Sequence, residues 1–251
     1  LVKLQCSDVV IDYIYGLSET GDSLSVIGVM SEPNLFVSYR NKIGTVIARG
    51  TMDYAVADSA ESTEFKSVDI SVYGSNALND GTVQFGFFAG SGSKKLRVGK
   101  LKSIAKRPLA LSPANPSLSV SDLAIDDAEL EIYGNGTQFI NIPGNASITT
   151  GAISDISIKK LTLNVKQTNP ALLIATFNAQ LNYTNITIDR LLVRDSVSTD
   201  ASRKFDFGFY YYINGLTINE IVYSSTNALT SKTSDLFTLN NCQNVSIGRV
   251  V

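Results

Sequence analysis

The sequence predicts an all-β chain wound as a stack of similar coils, a β-solenoid of about nine coils of roughly 30 residues. Two observations predict it. One six-residue pattern (apolar, any, aliphatic, two mostly polar, apolar) recurs nine times. Its starts, from Val9 to Val245, are 36, 23, 28, 27, 33, 30, 30 and 29 residues apart. A regular period of this size is the mark of a repeat architecture. The second observation is what precedes each copy: Asp8, Gly44, Ser67, Lys95, Asp122, Asp155, Asn185, Gly215 and Asn244. All but Lys95 are turn formers, so the chain turns at the same phase in every copy.

Each copy reads as a short strand with one buried face. The third positions are Ile11, Ile47, Ile70, Val98, Ile125, Ile158, Ile188, Ile218 and Ile247, all β-branched. Such residues fit a pleated, buried surface. The position before them points the other way and is polar at Asp69, Arg97, Ser157, Thr187, Thr217 and Ser246. Val10, Val46 and Ala124 break that rule, and Thr45 breaks the apolar first position. A second strand is expected upstream of most copies, as in residues 83–87, 140–142, 172–174 and 205–207, and also in 35–37 and 236–238. Helix periodicity is nearly absent. A single unit of this kind leaves an apolar face bare; stacked units cover it, and like residues form ladders about 4.8 Å apart. An antiparallel sandwich also alternates, yet it has no need of the same residue type at one phase every 30 residues.

The chain has 251 residues, 21 Lys+Arg and 23 Asp+Glu, hence a net charge of −2. It is long enough for a large core. It carries no broad basic field for nucleic acid or an anionic membrane. No apolar run approaches the roughly 18–20 residues of a membrane span. We expect one domain over residues 1–251, and a piece of a longer chain, because solenoids need polar end caps. Cys6 and Cys242 stand at equivalent positions about eight coils apart, too far to bridge, and read as small core residues. Asn-X-Ser/Thr matches at Asn135, Asn145, Asn182, Asn185 and Asn244 are what an Asn- and Ser/Thr-rich chain yields by chance. Residues 18–33, 105–117, 195–204 and 223–235 read as loops leaving the rod.

The chain has no histidine, which excludes histidine-dependent hydrolases and His-ligated zinc. It has no Gly-rich phosphate loop and no Cys cluster, so neither a metal nor a cofactor is expected. Carboxylate chemistry remains. Acids fall at the bend after the aliphatic position: Asp12, Asp126, Asp127, Asp189 and Glu220. Asp189 and Glu220 belong to consecutive coils, about 5 Å apart in backbone. Paired carboxyls about 5–5.5 Å apart suit retaining glycoside hydrolysis, and about 6.5–9.5 Å suits inversion. Asp206 is a third catalytic candidate, ahead of the aromatic run at 209–212. Asp126, Asp127, Tyr210, Tyr211 and Arg190 are the candidate ligand-binding residues. The plainer reading of each acid alone is solvated surface charge, paired weakly with Lys159, Lys160 or Arg190.

The phrases S-D-I-S-I-K-K-L (154–161), T-N-I-T-I-D-R-L (184–191), N-G-L-T-I-N-E-I (214–221) and C-Q-N-V-S-I-G-R-V (242–250) resemble coils of the right-handed parallel β-helix superfamily. That superfamily includes pectate lyases, polygalacturonases and bacteriophage tailspikes, and the resemblance covers nearly the whole chain. Asp126-Asp127 matches one polygalacturonase motif, but the histidine and Arg-Ile-Lys motifs are missing. The chain resembles a phage tailspike or tail-fibre segment more closely. This implies a homotrimer in the virion tail, in contact with other tail proteins, that binds host surface polysaccharide and cleaves it with flank acids. The alternatives are a non-enzymatic virion rod or glycan-binding adhesin, and a secreted bacterial solenoid at the cell surface.

Overall fold

A computed structural model describes residues 2–18, 26–30, 38–51, 54–72, 85–90, 92–112, 119–133, 138–142, 152–166, 171–176, 182–196, 205–206, 213–225 and 243–251. These contain seventeen strands and no helix. In chain order they are β1 (Val2–Leu4), β2 (Val10–Ser18), β3 (Ile27–Met30), β4 (Lys42–Gly50), β5 (Tyr54–Ser59) and β6 (Glu64–Val72). Then come β7 (Phe85–Gly90), β8 (Lys94–Ala105), β9 (Arg107–Ser112), β10 (Val120–Ile132), β11 (Gln138–Ile142) and β12 (Ala152–Val165). The last are β13 (Ala171–Thr176), β14 (Asn182–Asp195), β15 (Phe205–Asp206), β16 (Ile213–Ser225) and β17 (Gln243–Val250).

They alternate between two parallel sheets. The odd strands β1 to β15 form an eight-stranded sheet, and the even strands with β17 form a nine-stranded one. Every paired neighbour is parallel, so the chain is a parallel β-solenoid, as the sequence predicts. The expected nine coils are corrected: the second sheet has eight strands, and its last is two residues long. Nor is the rise regular, since Phe65 follows Ile43 by 22 residues and Val98 follows Phe65 by 33.

The core is the space between the sheets. Its central ladder runs Ile11–Ile43–Phe65–Val98–Ile125–Ile158–Ile188–Ile218–Ile247. Seven of the nine predicted positions are in it. Ile47 and Ile70 are not. Ile47 is half-buried and pairs with Asp69, while Ile70 is buried one arm further on, between Ala48 and Ser103. The cause lies in the column before the ladder, where Asn41 and Thr63 are fully buried polar residues in place of the expected aliphatics. Asn41 works there because its amide is satisfied: Oδ1 accepts from Val9 N at 3.2 Å, and Nδ2 donates to Ser38 Oγ at 2.9 Å and to the Cys6 carbonyl at 3.2 Å. Burial without such partners would cost more than it gains. Thr45 and Val46, exceptions in the sequence pattern, are regular once the register moves; Val46 is fully buried beside Ile14 and Val68.

The turn column follows the same correction. In this column positive φ occurs once per rung, at Asp8, Arg40, Ser62, Lys95, Asp122, Asp155, Asn185, Gly215 and Asn244, and outside it at Gly50 and Gly92. Arg40 and Ser62 replace the expected Gly44 and Ser67. Left-handed backbone at Arg40 and Lys95 costs about 1 kcal/mol each. Each also forms an ion pair across rungs: Arg40 grips Asp8 through two bonds of 2.6 and 2.7 Å, and Lys95 reaches Glu61 at 2.9 Å. The bond from Arg40 holds the Asp8 carboxyl below its usual range.

Two segments expected as loops contain strands. β3 lies within 18–33 with Val26, Ile27 and Val29 buried, and β9 lies within 105–117 with Leu109, Ala110 and Leu111 buried. Each strand holds only three apolar side chains, and flanking Ser, Gly and Pro mask them in the sequence. The expected strands at 35–37 and 236–238 lie outside the described residues, as does Cys242. Cys6 is a free thiol and only half-buried, not a core residue.

Candidate functional site

The strands of the nine-stranded sheet from β8 to β16 are long because each bends after the central ladder and continues. Past the bend, outward residues form columns across the rungs, spaced about 4.8 Å. The first follows Asp126, Lys159, Asp189 and Asn219; the second follows Ser67, Lys100, Asp127, Lys160, Arg190, Glu220 and Arg249. The third follows Asp69, Lys102, Glu129, Thr162 and Leu192.

Several charges in these columns are paired rung to rung. Lys159 meets Asp126 at 2.7 Å, Lys160 meets Asp127 at 3.0 Å, and Arg190 meets Glu220 at 2.7 Å. Arg249 approaches Glu220 at 3.9 Å from the other side. Asn219 donates to Asp189 at 3.1 Å. The hydrogen bond to Asp126, with the fields of Asp126 and Asp189, raises the Lys159 ammonium above the ordinary lysine range.

The expected catalytic acids are therefore not juxtaposed as a pair. The rung neighbour of Glu220 is Arg190, and that of Asp189 is Asn219; the two acids stand in adjacent columns, each with its own partner. Asp206 lies in β15, in the other sheet. Tyr210 and Tyr211 lie outside the described residues. Arg190 is committed to Glu220, and Asp126 to Lys159.

Among the described residues, Asp127 is the candidate that lines a groove. A depression of about 360 Å³ crosses β6, β8, β10, β12 and β14, with Asp69, Lys100, Lys102, Asp127, Glu129, Lys160, Thr162 and Arg194 among its lining residues. Asp69 binds Arg49 at 2.7 Å through Oδ2, while its Oδ1 is buried and takes no hydrogen bond among the described residues. Glu129 accepts from Asn164 Nδ2 at 2.7 Å. The groove thus presents carboxylates and cations on a floor fixed by parallel backbone pairing, while Asp69 Oδ1 and the Thr162 side chain in its lining are buried.

Sequence reasoning missed Asp69, Lys100, Lys102, Glu129, Thr162 and Arg194 as site residues. The signal was the alternation beyond the bend, as in Leu161-Thr-Leu-Asn-Val165, whose outward residues extend each column. Among the described residues no group of three or more His, Cys, Asp or Glu side chains is placed to hold a metal ion. Comparison with protein-family models, curated proteins and solved structures finds no match to this chain.

Proposed function

We propose that this chain recognises a host surface polysaccharide, as part of a tailspike-like, homotrimeric attachment protein of a virion tail. The groove across β6 to β14 carries the reading. A polysaccharide needs an open cleft with alternating donors and acceptors at a regular spacing, and rungs about 4.8 Å apart supply a repeat close to the length of one sugar unit. Asp69 Oδ1, buried and without a partner among the described residues, is an acceptor that a sugar hydroxyl would satisfy. Retention of the purified protein on immobilised capsule or O-antigen polysaccharide, with loss of retention in Asp69→Ala and Thr162→Val, is the expected result. Absence of retention on every such polymer would overturn it. Sedimentation of the same sample tests the trimer.

Cleavage is the second reading, favoured by one observation. Asp127 and Glu129 are outward residues two apart on β10, so their backbones are about 6.7 Å apart, a spacing from which two carboxyls can reach the separation of about 6.5–9.5 Å that admits an inverting water. New reducing ends that vanish in Asp127→Asn and in Glu129→Gln support it. Product formation that instead requires Asp189, Glu220 or Asp206 moves the chemistry out of the groove. Retention with no product leaves a binding rod or adhesin.

A further inference from the structure

The groove is cationic in a chain whose net charge is −2. Asp69 is neutralised by Arg49 at 2.7 Å and Asp127 by Lys160 at 3.0 Å. That leaves Lys100, Lys102 and Arg194 facing a single acid, Glu129, which already accepts from Asn164. All three cations are exposed, and none has a carboxylate partner among the described residues. We propose that the glycan bound here is acidic, with uronate-type carboxylates held by Lys100, Lys102 and Arg194. The inference rests on the glycan-binding reading above and names its substrate class.

The geometry favours a polymer with spaced carboxylates over other anions. Lys100 and Lys102 stand two residues apart on β8, about 6.7 Å, and Arg194 stands three rungs away and two residues further along the strand, about 16 Å from Lys102. A single phosphate cannot bridge those positions, whereas a short run of sugars can. The excess of charge is small, while nucleic-acid affinity grows with each phosphate neutralised. No aromatic side chain lines the groove to stack a base. The guanidinium of Arg194 suits bidentate grip on a planar carboxylate, and the lysines act as point charges.

The test uses a panel of purified bacterial surface polysaccharides, some neutral and some containing uronate, each uronate polymer paired with its carboxyl-reduced form. Wild-type protein is expected to retain uronate polymers, to lose them on carboxyl reduction, and to weaken as salt rises. Lys100→Gln/Lys102→Gln should weaken binding about tenfold or more, as expected for lost charge-assisted contacts. Arg194→Gln alone gives a second readout at another rung. Equal binding of parent and reduced polymers, or of neutral polymers, overturns the acidic class and leaves glycan recognition standing. Unchanged affinity in both variants overturns the assignment to these cations. Retention of no polymer overturns both readings.

Discussion

Glu220 lies beside Arg190 on the neighbouring rung, Cα partner to Cα partner, with Nε to Oε2 at 2.7 Å. The acid that looked free at a bend is one half of a rung-to-rung ion pair. Arg190 is 54% exposed at its side chain and Glu220 28%, so solvent screens the attraction. Glu220→Gln should lower stability by less than about 1 kcal/mol. Chemical denaturation checks this, and a loss of several kcal/mol would mean the pair is far less screened than its exposure implies.

Asn41 should be among the costliest positions in the chain. It is fully buried and serves Val9 N, Ser38 Oγ and the Cys6 carbonyl. Asn41→Ala leaves these groups without their partner, at an expected cost of about 2–4 kcal/mol. Asn41→Leu restores the apolar column yet strands the same groups, so it should also destabilise. Urea unfolding of both variants distinguishes this from a simple volume effect, in which leucine would recover stability.

Gly44 is fixed by close approach rather than by a left-handed backbone. A Cβ there would lie 2.1 Å from the Asp12 carbonyl oxygen, which is backbone and cannot rotate away. Gly44→Ala should cost about 1–3 kcal/mol, the usual penalty for overpacking. A melting temperature unchanged by the substitution would contradict the register of β2 against β4.

Asp58 should make stability depend on pH. It is buried inside the coil, bonded by Ser93 Oγ and reached at 3.4 Å by Ala60 N. Burial pushes its carboxyl up to about 6, against 3.8 for the ordinary side chain, although the bonds from Ser93 and Ala60 oppose this. The folded state therefore holds the proton more tightly than the unfolded chain. The stabilisation is fully present below about pH 3.8 and is lost as pH rises through 6. At 1.36 kcal/mol per pKa unit, the difference approaches about 3 kcal/mol. Asp58→Asn should remove it, so the stability gap between variant and wild type widens in the variant's favour from pH 4 to pH 8. A gap that stays constant with pH would disprove the claim.

Much of the architecture was legible because its causes are local. Alternation after each turn reports which side chains face inward, and a residue that tolerates positive φ reports where the chain turns. The reading failed at two rungs, and for one reason. Asn41 and Thr63 are polar where the pattern demands apolar, and Phe65 is aromatic where it demands aliphatic. Ile47 and Ile70, four or five residues further on, fit the pattern in their place. The burial of Asn41 depends on partners such as Cys6 and Ser38, which no periodicity reveals. The candidate site was legible only in part: Asp127, named from its place at a bend, lines the groove, while Asp189 and Glu220 stand one column apart.

The sequence by itself determined that this chain coils, roughly how often it turns, and that its outward bends are polar. Those properties follow from each residue's own backbone preference and the two-residue period of a strand. The tertiary structure decided which rungs are neighbours at Ile43 and Phe65, which acids are neutralised, and where unpaired cations collect. Those depend on residues 20 to 35 positions apart meeting across a spacing of about 4.8 Å. A shift of one column there exchanges a carboxylate pair for an ion pair.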